Sequence, residues 1–176
     1  MRTYALSAIG VDRPGIIAAV AERLVTHGVN VTDSQMGILH GFFAMTLVVT
    51  APDTVDGQAL AADVRAVGEE LRLEALTFRA VPEAPADPLE DPTHVVNVHG
   101  ADHPGILAAV TASLAAAGVN VCDLRTRLTP DDVWVMVIHV AVPQGASTEA
   151  LEAGLKVVAE REGVEITLHA DAADVL

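Results

Sequence analysis

The chain has 176 residues, half of them hydrophobic, yet it holds only five aromatic residues and a single cysteine. Its formal net charge is −14, from 24 acidic and 10 basic side chains, and its one lysine is Lys156. That balance excludes a direct nucleic-acid binder, which needs clustered Lys and Arg against phosphates; the lone cysteine excludes an intrachain disulfide; and no apolar run reaches the ~18 residues that cross a bilayer.

In chain order, Thr3–Ile9 is an apolar run with strand character, and Gly10 is expected to end it. Pro14 suits a first helical position. Ile16, Val20 and Leu24, widened by Ile17 and Ala21, form one apolar helical stripe, and Gly28 reads as the helix stop. An extended run from Asn30, a turn at His40-Gly41 and a second run through Met45–Thr50 follow. Leu60, Val64, Val67 and Leu71 then mark a second helix, and Leu73–Ala80 a last strand. After an interruption the series recurs. It comprises a strand at Val95–His99, a helix on Ile106, Val110 and Leu114, a stop at Gly118, an extended run from Asn120 and a turn at Pro130-Asp131-Asp132. A helix on Leu151, Leu155 and Val158 and a strand over Val164–His169 complete it.

The recurrence is literal. Residues 10–33, GVDRPGIIAAVAERLVTHGVNVTD, align without a gap on residues 100–123, GADHPGILAAVTASLAAAGVNVCD, with 14 of 24 positions identical. A repeat fixes the unit before any element is assigned, and two copies of about 80 residues make a duplicated small domain. Strand–helix–strand–strand–helix–strand, twice, is an α+β order. Its common solution is a four-stranded antiparallel sheet with both helices on one face. Arg125, Arg127, His139 and His169 are expected to supply polar side chains to the uncovered face of the second unit. The boundaries are 1–81 for the first unit, 82–93 for a spacer and 94–176 for the second. The spacer holds Pro82, Pro85, Pro88 and Pro92 with four acidic and no basic residues, so an extended, solvated connector is expected.

Both copies keep Gly-x-Asp-x-Pro-Gly at the start of the first helix and Asn at the start of the next strand. Asp12 is expected to cap or offset the helix dipole more readily than to touch a ligand. The glycines permit tight turns or the close approach of a ligand to backbone. A helix N-terminus offers free N–H groups and partial positive charge to a carboxylate. Asn30, expected near that helix start, offers a donor and an acceptor. A free amino acid is the ligand class those groups suit.

DRPGIIAAVAERLVTHGVNVTD and DHPGILAAVTASLAAAGVNVCD resemble the signature of the ACT domain, and the likeness covers everything but the spacer. It implies two ferredoxin-like βαββαβ units, commonly paired side by side into an eight-stranded sheet. The ligand then sits between the helix-start loop of one unit and strand residues of its neighbour. Carried onto this chain, the implied ligand residues are Asp12, Arg13, Pro14, Gly15, Ile16 and Asn30, and Asp102, His103, Pro104, Gly105, Ile106 and Asn120. His103 in place of Arg13 alters the charge beside the second site. The resemblance implies an amino-acid-sensing regulator; the acidic surface points to action through a protein partner, a transcription factor or metabolic enzyme, and the exposed sheet face and edge strands make a homo-oligomer the expected state. The alternatives are a regulatory subunit of a metabolic enzyme and a dimerisation module that binds no ligand.

Other readings are weaker. His99 and His103 are four apart, but Gly100 and Pro104 break any helix across them, and no metal motif accompanies them. No phosphate loop, cofactor motif or nucleophile–base arrangement is visible, so neither a cofactor nor an enzyme activity is expected. The run Val133–Ile138 reads as a strand buried on both sides or facing a partner. Cys122 is expected in the core. Asp12 and Arg13 interrupt the only apolar candidate for a signal peptide, so the expected location is the cytoplasm.

Overall fold

The structure, a computed structural model, describes residues 1–82 and 91–171, and the chain divides into two compact units, Met1–Ala86 and Asp87–Leu176. Residues 83–90 of the expected spacer lie outside the described residues. The first unit runs β1 (Arg2–Val11), α1 (Ile16–Thr26), β2 (Asn30–Leu39), β3 (Phe42–Ala51), α2 (Gly57–Glu70) and β4 (Ala75–Ala80). The second runs β5 (His94–Ala101), α3 (Ile106–Ala116), β6 (Asn120–Leu128), β7 (Val133–Ala141), α4 (Thr148–Glu162) and β8 (Glu165–Ala170). Each sheet is antiparallel, in the order β2-β3-β1-β4 and β6-β7-β5-β8, which is the ferredoxin-like arrangement expected from the element order.

Alternation along the strands selects the buried face. Tyr4, Leu6 and Ala8 of β1 and Phe43, Met45, Leu47 and Val49 of β3 meet Ile16, Val20 and Leu24 of α1 and Leu60, Val64 and Val67 of α2. Val96, Val98, Met136, Ile138 and Val140 meet the matching stripes of α3 and α4. The other face carries polar side chains in the second unit. Arg125 and Arg127 pair with Val137 and Val135, and His139 and His169 both pair with Val95, across from the core. Strand β7 is therefore buried on its helix side and only half-covered on the other.

Helix ends follow local chemistry. Gly28 and Gly118 take positive φ, and Val29 N–H and Val119 N–H return to the carbonyls of Leu24 and Leu114 while Gly28 and Gly118 bond Val25 and Ala115. That is the Schellman stop expected of both glycines. Helix α2 begins on Asp56, whose side chain accepts from the N–H groups of Gln58 and Ala59, and α4 on Ser147, which accepts from Ala150. Helices α1 and α3 differ: each begins on a positive-φ glycine, Gly15 or Gly105, with no side-chain cap bond. Asp12 is thus not the cap, and Pro14 lies in the turn before the helix because the chain must first pass through the left-handed glycine.

Gly10 does not end β1, and Gly100 does not end β5; each lies within its strand. A Cβ on Gly10 meets the Leu73 side chain at 2.9 Å and its Cα at 3.2 Å, and a Cβ on Gly100 meets Val164 at 2.8 Å and 3.2 Å. These glycines let the segment leading into the last strand lie directly against the first. Cys122, expected in the core, is exposed. It occupies the extra position of a bulge between Val121 and Asp123, matched in the first unit between Val31 and Asp33, and a bulged residue leaves the strict alternation.

Two outcomes follow from these contacts. Gly100→Ala is expected to cost the second unit about 1–3 kcal/mol by overpacking against the stiff Val164, whereas Gly37→Ala, with nothing within 4 Å, should change stability by less than about 0.5 kcal/mol; urea unfolding of each variant reads the difference. Asp56→Ala should cost about 1 kcal/mol through the lost cap, and Asp12→Ala should leave unfolding within about 0.5 kcal/mol of the parent.

Candidate functional site

The repeated loops, 12–15 and 102–105, join the end of one strand to an uncapped helix. Asp12, Arg13, Pro14 and Gly15 are exposed, as are Asp102, Pro104 and Gly105, while His103 is partly covered. Gly15 holds φ 99° and Gly105 φ 115°, a region that side chains rarely adopt. Nothing lies within 4 Å of the place a Gly15 Cβ would take; at Gly105 the nearest group is the Glu162 carboxylate, 3.8 Å away. Ile16 and Ile106 are 1% exposed and belong to the two cores. Their side chains therefore do not line a surface site.

The backbone ladders decide what these loops can reach. Val11 pairs with Phe42, so the loop after it lies at the end of the sheet occupied by the His40–Gly41 hairpin, and Asp12 N–H reaches Gly41 O at 3.4 Å. Asn30 pairs with Thr50, and Thr50 with Thr3. That is the opposite end, some eight residues or about 27 Å along the strand. The second unit repeats this: Asn120 pairs with Ala141, whereas Ala101 pairs with Val133. Asn30 and Asn120 are therefore not near the helix-start loop of their own unit. The sequence order suggested adjacency, but α1 and α3 run the length of the sheet before the next strand begins.

Arg13 and His103 also point elsewhere than a pocket beside the loop. The Arg13 guanidinium donates to the carbonyl of Leu71 at the end of α2, and His103 Nε2 lies 2.8 Å from the carbonyl of Glu162 at the end of α4.

The sheet edge is the other feature of interest. Strand β2 is an outer strand, exposed on both faces. Val31, Met36 and Ile38 pair with the buried Val49, Met45 and Phe43 and so continue the core's face, yet they are 40, 48 and 58% exposed. In the second unit Val121 and Leu128 on β6 occupy the same edge and are also exposed. Two open surface recesses, of about 350 and 160 Å³, lie instead along α2 and β4 around Tyr4, Arg65 and Phe78, and neither includes any of the twelve residues above. Among the described residues there is no cluster of His, Cys, Asp or Glu that could hold a metal ion, and no helix is long and apolar enough to cross a membrane.

Comparison with known proteins agrees with the repeat. The chain is 29% identical over 170 residues to phosphoserine phosphatase SerB2 of Mycobacterium tuberculosis, covering 93% of this chain but 40% of that protein. It is 24% identical over 157 residues to the glycine cleavage system transcriptional repressor of Escherichia coli K12, covering 86% of this chain and 80% of that one. A crystal structure of an unknown protein from Galdieria sulphuraria superposes with a TM-score of 0.76 at 28% identity, over 96% of this chain and 98% of its own. The ACT domain model matches twice, at residues 3–77 and 93–169, over the two βαββαβ units and their uncapped helix starts, and the chain therefore belongs to the ACT domain family.

Proposed function

We propose that the chain is an amino-acid-binding regulatory protein whose ligand sites form where the helix-start loop of one unit meets the Asn30 or Asn120 end of a neighbouring unit's edge strand. The observation that carries this reading is the contrast among the four helix starts. Asp56 and Ser147 cap α2 and α4, whereas the repeated motif leaves α1 and α3 uncapped behind Gly15 and Gly105. Unfilled N–H groups at the positive end of a helix dipole suit a carboxylate.

The placement of the asparagines supports the composite site. Within one unit loop and asparagine stand at opposite ends of the sheet. An antiparallel pairing of two edge strands sets the start of one beside the end of the other, so it brings Asn30 to a partner's helix-start loop. The apolar side chains exposed on β2 and β6 favour such a neighbour, since an unpaired edge with apolar flanks is a ready template for another strand. The asparagine amide then supplies both a donor and an acceptor for a zwitterion.

Regulation is supported by the similarity to a transcriptional repressor over most of both chains. With a net charge of −14, the chain acts through a protein partner rather than by touching DNA itself. The partner is a transcription factor or a metabolic enzyme. The similarity to phosphoserine phosphatase, of whose length the chain spans about 40%, favours the second reading, a regulatory role toward such an enzyme. The protein itself is read as non-catalytic and cytoplasmic.

A thermal-unfolding screen against the twenty free amino acids tests the reading. A true ligand at about a hundredfold its Kd should add about 2.7 kcal/mol per site. The shift should disappear in the Asn30→Ala, Asn120→Ala double variant and should fall in Met36→Lys, which charges the edge of the first unit. No shift with any amino acid, or one indifferent to these substitutions, favours a dimerisation module without a ligand.

A further inference from the structure

The residue between Asp and Pro of the repeated motif is Arg13 in one copy and His103 in the other. Both side chains cross to the same place. Arg13 donates to the Leu71 carbonyl, and His103 Nε2 lies 2.8 Å from the Glu162 carbonyl. Leu71 and Glu162 are equivalent positions, each two residues before the side chain, Leu73 or Val164, that abuts the strand glycine. Each contact ties the loop that starts one helix to the C-terminus of the other. A cation belongs at that end, where the last carbonyls carry partial negative charge.

The histidine makes a second contact: its Nδ1 lies 3.2 Å from the carbonyl of Pro104, inside the loop. Both partners are carbonyl oxygens and only accept. A neutral imidazole has one N–H and satisfies one of them; the imidazolium has two and satisfies both. The charges acting on the ring are Asp102 in its own loop and Glu162 on α4, the latter held 2.8 Å from Arg161 Nε, which offsets part of its charge. The first turn of α3 contributes no acidic group.

We infer that His103 is a pH-sensitive latch between the loop that starts α3 and the end of α4, and that the first unit lacks the switch because Arg13 makes the same tie at every physiological pH. The Glu162 carbonyl, then the Pro104 carbonyl, hold the imidazole's pKa above the usual histidine value, with smaller help from the two carboxylates against partial burial. A pKa raised in the folded state means that the latch's stabilisation is complete below the unfolded-state value and is lost as pH rises through the folded one. Between those two values the latching equilibrium falls by up to about tenfold per pH unit, and above the folded value it levels off. The loop around Gly105 and the first turn of α3 then loosen while the corresponding loop at Gly15 does not. The latch is a property of the ligand-free chain and so stands apart from the amino-acid reading.

Nuclear magnetic resonance of the full chain without ligand, from about pH 5.5 to about pH 8.5, tests it through the His103 ring titration and the exchange protection of amides at residues 105–109, corrected for intrinsic pH dependence. The His103 ring should titrate above the ordinary histidine value. Protection of residues 105–109 should fall by about threefold or more across that titration, and protection of residues 15–19 should not. His103→Arg should remove the pH dependence and keep the low-pH protection, and Arg13→His should install it in the first unit. A His103 ring that titrates at or below the ordinary value overturns the inference. So does a fall in protection that persists unchanged in His103→Arg.

Discussion

The antiparallel hydrogen-bond ladders joining β1 to β3 and β3 to β2 fix which end of the sheet every loop occupies. Because Val11 pairs with Phe42 and Thr3 with Thr50, the helix-start loop shares its end with the β2–β3 hairpin, and Asn30 takes the far end. Helix α1 spans the distance between them: its eleven residues rise about 17 Å and the flanking turns supply the rest. Nothing short of breaking the ladder brings the two halves of the repeated motif together inside one unit.

The repeated glycines are kept for three unlike reasons. At Gly10 and Gly100 the neighbouring chain leaves no room for a Cβ. At Gly15 and Gly105 there is room, but the backbone turns through positive φ to start a helix. At Gly28 and Gly118 the positive φ ends one. A sequence reading takes Gly10 as a strand end, Gly28 and Gly118 as helix stops, and Gly15 and Gly105 as turn or ligand-approach positions. Only the packing of Leu73 and Val164 separates the first pair from the others.

Much of the fold was legible because its signals are local. Ile16, Val20 and Leu24 sit one helical turn apart, His40-Gly41 has the chemistry of a two-residue hairpin, and the 24-residue repeat doubles each inference. The misreadings are of two kinds. Asp12 was preferred as a cap because carboxylates favour helix starts, yet the helix begins beyond it on Gly15, and cap geometry depends on backbone angles that residue type does not reveal. Cys122 follows Val121 in an apolar strand and reads as a core residue, but it is the extra residue of a bulge and is exposed. Asn30 belongs to a different class. Its strand was identified correctly, but its distance from the loop is a property of topology that spacing along the chain does not carry. The copies also diverge where no core constrains them. On the open sheet face Ile9, Gln35, Gly37, Val48 and Ala75 of the first unit stand where His99, Arg125, Arg127, His139 and Glu165 stand in the second, so the second copy of this surface carries the more ionisable side chains.

The bulge itself has a mechanical consequence. Its extra residue sits between Val31 and Asp33 in one unit and between Val121 and Asp123 in the other, two positions from each asparagine. Beyond it the register of β2 is pinned from the hairpin end by the two-residue turn. A regular strand is a stiff rod: displacing one end shifts every pair down to the turn. A bulged strand has a joint, because the ladder is already interrupted there. The first residues of β2 and β6 pair with β3 and β7 across that interruption. A displacement at the asparagine end is therefore taken up at the bulge before it reaches the pairs closer to the hairpin.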